Sequence, residues 1–211
     1  MAKRLRISFK DLRYLIAFFV IVTMTVSALA YVELTTSYTD HFFSMWILGS
    51  NGLTENYFPS NNPNLIPGEQ VNWTLGVYNH MSALEYVVVR VKLLNSTEIS
   101  PNELTGVASP VQGIFEFARV LVSNETWTIP FPWDIVDSTS VNGVVLITGL
   151  SINGTMITAN LAQAAGGLNF RFVFELWFYD QTAGNLAFSW STPTSTYSAW
   201  TQLWFNATAS S

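Results

Sequence analysis

Nineteen consecutive residues, Tyr14–Val32 (YLIAFFVIVTMTVSALAYV), carry no charge. As a helix with 1.5 Å of rise per residue, such a run spans roughly 28 Å, close to the hydrocarbon thickness of a bilayer. Leu, Ile, Phe and Val dominate it. Tyr14 and Tyr31 stand at its two ends, where aromatic rings favour the headgroup zone. Five of the nine Lys and Arg of the chain (Lys3, Arg4, Arg6, Lys10 and Arg13) precede it, opposed only by Asp11. That excess places the N-terminus in the cytoplasm and everything after the run outside. The expected organisation is a basic cytoplasmic tip (1–13), a signal-anchor helix (14–32), a linker (33–40) and an extracellular domain (41–211), held in a lipid bilayer.

A second reading stays open at the same place. Ala28-Leu29-Ala30 has the small-x-small form of a signal-peptidase site, and cleavage after Ala30 releases a secreted domain. Thr23, Thr25, Ser27, Ala28 and Ala30 also offer the small side chains that helices use to pack against one another in membranes.

The remainder reads as a β-structure. Short apolar, β-branched and aromatic runs recur between clusters of Gly, Pro, Asn and Ser, the pattern of a sandwich or barrel. Strands are expected at 41–48, 70–79, 85–94, 114–122, 125–129, 141–148, 169–179, 186–190 and 199–206. Within 70–79, Val71, Trp73, Leu75 and Val77 share one face, opposite Asn72, Thr74 and Gly76. A period of two with one apolar side is a half-buried strand. In 169–179, Phe170, Phe172, Phe174, Leu176 and Phe178 form a face that belongs to the core. The Asp180–Asn185 connection, with Gly184, makes a hairpin with the strand after it. Met156–Ala165, rich in alanine and followed by Gly166-Gly167, is expected to be a short helix or a loop insertion. The segment PWDIVDSTS around Asp134 and Asp137 reads as a polar connector. The fold class is mainly β, an antiparallel immunoglobulin-like sandwich behind one transmembrane helix.

Two stretches carry a family resemblance. Trp46-Ile47-Leu48-Gly49, Glu55-Asn56-Tyr57-Phe58-Pro59, Leu65–Glu69 (LIPGE) and Val77-Tyr78-Asn79-His80 run into Tyr86–Lys92, and Leu203-Trp204-Phe205-Asn206 stands near the C-terminus. Together they resemble domain-of-unknown-function family 1616, an archaeal membrane-protein family, over about residues 42–94 and 170–206. The resemblance implies a membrane-attached extracytoplasmic β domain and no known activity. The LIPGE run and the strand after it are also similar to the broader immunoglobulin-like pattern of surface proteins.

Composition excludes much chemistry. The chain has no cysteine, which removes disulfides, thiolate metal centres and cysteine nucleophiles. A net charge of −5 argues against a nucleic-acid surface. His41 and His80 are the only imidazoles, and neither shows ligand spacing towards Glu69 or Glu85. Asp134 and Asp137 lack the spacing of a calcium loop. The run Gly149–Gly154 nears a nucleophile elbow but places Asn153 where glycine is needed. No enzyme, metal or cofactor is expected.

What the sequence does offer is modification and contact. Five Asn-x-Thr sequons, at Asn72, Asn95, Asn124, Asn153 and Asn206, all follow the apolar run and mark a glycoprotein. Trp73, Trp177, Trp190, Trp200 and Trp204 either fill the core or line a binding face. Trp190 and Trp200 are the candidates for partner contact. From Leu34 to Ser211 there are four basic and twelve acidic residues, sixteen charges among 178. A surface so poor in carboxylates changes little on acidification, which suits acidic or hot surroundings. The expected role is structural or interactive within the cell envelope. The alternatives are an accessory subunit of a larger membrane complex and, after cleavage at Ala30, a secreted filament subunit that self-associates by strand exchange.

Overall fold

The computed structural model describes residues 9–35, 41–192 and 195–210, with helix side chains described at 13–31. Most of the basic tip and of the expected linker lies outside these residues. Between Asp40 and His41 the chain divides into two units, one helical and one β.

Helix α1 runs from Phe9 to Thr35, longer at both ends than the uncharged run. The extension is local chemistry, because Lys10, Asp11, Leu12 and Arg13 tolerate or favour helix. Every described side chain from Arg13 to Tyr31 is exposed, so this helix is not the core of its unit. Its hydroxyls are satisfied internally. Thr23 Oγ1 donates to the Phe19 carbonyl at 2.8 Å and Thr25 Oγ1 to that of Ile21 at 2.9 Å, the bond a helical threonine makes one turn back. Ala30 lies inside the helix, before its last turn.

Among its described residues the β unit has thirteen strands: β1 (Phe42–Leu48), β2 (Asn64–Leu65), β3 (Val71–His80), β4 (Glu85–Leu94), β5 (Phe115–Leu121), β6 (Thr126–Val141), β7 (Val144–Ile152), β8 (Thr155–Ala165), β9 (Phe170–Asp180), β10 (Asn185–Ala187), β11 (Ser189–Ser191), β12 (Thr196–Ser198) and β13 (Trp200–Ala207). One sheet has the order β1-β3-β6-β7-β8. The other is β2-β13-β9-β4-β5, with β10 also beside β9, and β11-β12 form a separate ribbon. Pairing is antiparallel except between β13 and β2. The chain leaves the first sheet for the short strand β2 and returns at β3, and then changes sheet between β3 and β4, between β5 and β6, and between β8 and β9. Thus β1, β3 and β6 hold the places of the A, B and E strands of an immunoglobulin fold, and β4, β9 and β13 those of C, F and G. Hairpin β7–β8 extends the first sheet beyond that plan.

The core lies between the sheets and is aromatic. Val71, Trp73, Leu75 and Val77 of β3 face Phe170, Phe172, Phe174 and Leu176 of β9, all buried as their period predicts. Trp73 is the hub, with ring centroids 5.1–6.4 Å from those of Phe58, Phe131, Trp133, Phe172 and Phe174. Its indole N–H donates to the Tyr57 carbonyl. Gly76 is glycine because the Trp46 indole covers the place a Cβ would take.

Three expectations fail here. Met156–Ala165 is neither helix nor loop. It is the edge strand β8, paired with β7 from Thr155 to Ala165. Asn153 and Gly154 both have positive φ and form the two-residue turn that starts this hairpin, so tertiary pairing overrides the alanine preference for helix. The polar connector around Asp134 is also strand: β6 runs unbroken through Pro130 and Pro132. Those prolines are tolerated because β7 pairs with β6 only from Trp133 onward. The Pro132 carbonyl accepts from the Asn153 N–H of the β7–β8 turn at 2.9 Å, so the missing N–H groups lie on the side away from β3, at and beyond the end of β7, and break no rung of either ladder. The expected strand at 186–190 is interrupted at Phe188, between β10 and β11.

Candidate functional site

The outer face of the second sheet is where polar chemistry concentrates. Strands exposed on one side alternate in and out, but β4 and β9 are buried on both. Lys92 and Leu94, and Arg171, Val173 and Glu175, point away from the core and are still covered. The cover is the connection between β4 and β5. Its Ser109 backbone N–H donates to Glu175 Oε1 at 2.8 Å, and its carbonyl accepts from Lys92 Nζ at 2.6 Å. Lys92 Nζ stands 2.8 Å from Glu175 Oε2. The Trp177 indole donates to the same oxygen at 3.0 Å.

Beside this pair the Arg90 guanidinium lies 4.1 Å from the Trp177 ring centroid and 2.7 Å from Glu116. Arg90, Gln112, Glu116 and Trp177 line a cleft of about 400 Å³ above the pair. Further along, Arg171 donates to the Glu98 carbonyl at 2.6 Å and to Gln202 at 3.2 Å, and it lies over the Trp204 ring at 4.5 Å. Burial lowers the Arg171 pKa, and the nearby charge of Glu98 opposes that shift. These groups are spent on one another. The Lys92 amine and the Glu175 carboxylate are paired with each other in a buried site.

Neither Lys92 nor Glu175 stood out in the sequence. The signal was present: a lone carboxylate inside RFVFELWFY and a lone amine inside VVVRVKLL, each among side chains that bury. Buried charges require partners.

The sequons separate by what their amides do. Asn206 Nδ2 donates to Asn64 at 2.7 Å while its Oδ1 accepts from the Asn169 N–H at 2.9 Å. Asn95 Nδ2 donates to the Gln163 carbonyl at 2.9 Å while its Oδ1 accepts from Thr97 and Glu98. Asn72 is exposed on β3, and Asn153 is exposed at the β7–β8 turn. Asn124 is exposed in the turn between β5 and β6. Its Oδ1 lies 3.1 Å from Tyr78 Oη and 2.8 Å from His80 Nδ1.

Trp190 does not stand on the surface. It is 9% exposed, packs edge-on against Phe43 and Phe178 and stacks with Tyr197. Its indole donates to the His41 carbonyl at 3.0 Å. The β11–β12 ribbon folds it inward, which withdraws it from partner contact. Trp200 is half-buried on β13, across from Glu175, and Trp204 is the more exposed of the two. Trp73 belongs to the core. His80 is engaged with Asn124 rather than with Glu69 or Glu85, and Asp137 accepts from Thr148 at 2.9 Å. Gly149–Gly154 lies in β7 and its hairpin turn, without the strand-to-helix context of an elbow. Among the described residues, no three His, Asp or Glu side chains gather as a metal site.

No protein-family model and no curated protein matches the chain. Solved structures similar to it include a beta-glucosidase from Listeria innocua, 10% identical with a TM-score of 0.38 over 80% of this chain and 16% of that one. A CARDB domain from Pyrococcus furiosus, solved with di-metal ions, is 9% identical with a TM-score of 0.36, over 83% of this chain and 100% of that one. An alpha-2-macroglobulin fragment from Escherichia coli is 8% identical with a TM-score of 0.34, over 82% of this chain and 17% of that one. The chain spans about a sixth of the length of the beta-glucosidases it matches.

Proposed function

We propose that the protein is anchored in a membrane by α1 and carries its immunoglobulin-like sandwich outside the cytoplasm, as a structural or protein-interaction module of the cell envelope. The observation that carries this reading is the helix itself: nineteen uncharged residues, every described side chain exposed, hydroxyls bonded back to the backbone, and a basic excess on the N-terminal side. Apolar side chains with no protein around them need a lipid environment. The sandwich has its own core and needs nothing from α1 to bury it. Its charged pairs are mutually satisfied, which favours contact over catalysis. The resemblance of residues 42–94 and 170–206 to the membrane family 1616 agrees with this placement.

Membrane extraction combined with mass measurement of the native protein tests the anchor. An integral protein resists alkaline carbonate, dissolves in detergent and retains its N-terminal segment. A carbonate-soluble protein beginning at Tyr31 overturns the anchor and leaves the secreted reading.

A further inference from the structure

We propose that Asn124 is an N-glycosylation site whose first sugar lies on a platform made by Phe42, Tyr78 and His80. The proposal rests on the sandwich being exported. Asn124 is the third residue of the turn Val122–Glu125, closed by the Glu125 N–H on the Val122 carbonyl at 3.2 Å, and its φ of 63° turns the side chain outward. Its backbone is fixed on both sides. The Asn124 N–H donates to the Asn79 carbonyl at 2.7 Å, and the Asn79 N–H donates to that of Glu125 at 3.0 Å.

The amide has one occupied end and one free end. Oδ1 is held by Tyr78 and His80, whereas Nδ2 has no protein partner among the described residues. Asn206 and Asn95 differ, since both ends of their amides are tied into the fold. Attachment at Asn124 joins Nδ2 to the anomeric carbon of a lipid-phosphate-linked oligosaccharide. The bond from that carbon to the phosphate oxygen breaks, the lipid phosphate leaves, and Nδ2 gives up one proton. Oδ1 takes no part, so its two contacts survive the modification.

The rings beside Asn124 supply the second half of the site. Phe42 and His80 have centroids 4.7 Å apart, Tyr78 and His80 stack at 5.7 Å, and Phe42 and Tyr78 stand at 6.2 Å. Phe42 remains 37% exposed although it is large and apolar. A pyranose presents a C–H face that buries apolar area on such rings, and a sugar leaving Nδ2 begins next to His80, within one ring of Phe42.

The experiment uses the full chain from a host that performs N-glycosylation. Peptide mass spectrometry reads occupancy at each sequon. Thermal melts then compare the parent with Thr126→Val, Phe42→Ala and the double variant. Thr126→Val removes the sequon and leaves Asn124 in place. The expected result is sugar on Asn124, a drop of about 3 °C for each single variant, and a double variant no worse than the lower single. A bare Asn124 while Asn72 or Asn153 carries sugar overturns the proposal, as do an occupied Asn124 and additive losses. Export is read separately by protease access to the C-terminus, so a bare Asn124 on an exported domain sinks this proposal alone.

Discussion

The Lys92 ammonium lies 2.8 Å from the Glu175 carboxylate, with the two side chains 5% and 0% exposed. They are not direct neighbours across the ladder: Glu175 stands opposite Arg90, and Lys92 opposite Val173. The diagonal leaves Arg90 free to stack on Trp177 while Lys92 reaches beneath the connection between β4 and β5. One ion pair thus fastens that connection to the sheet through both backbone groups of Ser109.

Removing one partner strands the other charge in a dry site. Lys92→Met or Glu175→Leu alone is expected to cost about 3–5 kcal/mol, read in thermal melts as a fall on the order of 10 °C. The double variant recovers part of that loss, because no buried charge remains and only the neutral Ser109 backbone groups and the Trp177 indole N–H lose their partners. A double variant as unstable as the sum of the singles contradicts the pairing.

Two core tryptophans test the hydrogen-bond accounting. Trp73 donates to the Tyr57 carbonyl, whereas the buried Trp133 indole nitrogen has no partner. Trp73→Phe therefore leaves a carbonyl without its donor and costs more than Trp133→Phe, by about 1–3 kcal/mol. Denaturant melts of the two variants decide it, and equal losses refute the difference.

Glu85 supplies a pH dependence with a definite sign. Its carboxyl is pushed above its usual pKa, first by burial and then by the charge of Asp180. Such a group binds its proton more tightly in the folded state. Its contribution therefore favours the fold below the ordinary carboxylate pKa and is lost as pH rises through the raised one. Glu85→Gln, neutral at every pH, should raise the melting temperature at pH 7 and leave it unchanged at pH 3. A loss at pH 7 would show that the ionised carboxylate is useful to the fold. The parent, with sixteen charges after Leu34, should keep its midpoint at pH 3 within a few degrees of that at pH 7.

The sequons yield a prediction that needs no sugar. In protein made without glycosylation, Asn206→Ala loses bonds to Asn64 and Asn169 and should cost about 1–3 kcal/mol. Asn72→Gln, on an exposed strand position, should fall within about 0.5 kcal/mol of the parent. Melts of the two purified variants measure both, and a reversed order would contradict the assignment.

Periodicity made the sandwich legible. The faces of β3 and β9 were readable because Val71 to Val77 and Phe170 to Phe178 keep a strict period of two. Strand β8 was not, since Ala162, Ala164 and Ala165 suit a helix in isolation and pair as strand only because Asn153-Gly154 returns the chain against β7. That dipeptide was the available signal. Strand β6 was hidden by Pro130, Pro132 and a polar run whose acceptability depends on where β7 begins. The Lys92–Glu175 pair joins strands far apart in sequence, and no local pattern announces it. Trp190 was misplaced for the same reason: its burial depends on a ribbon folding over Phe43 and Phe178.

The central claim is that the sandwich lies beyond the membrane that α1 crosses. A tag at the C-terminus, probed by protease added to intact cells, tests it most directly. The account predicts digestion of the tag without lysis. A tag protected in intact cells and digested only after lysis would contradict it.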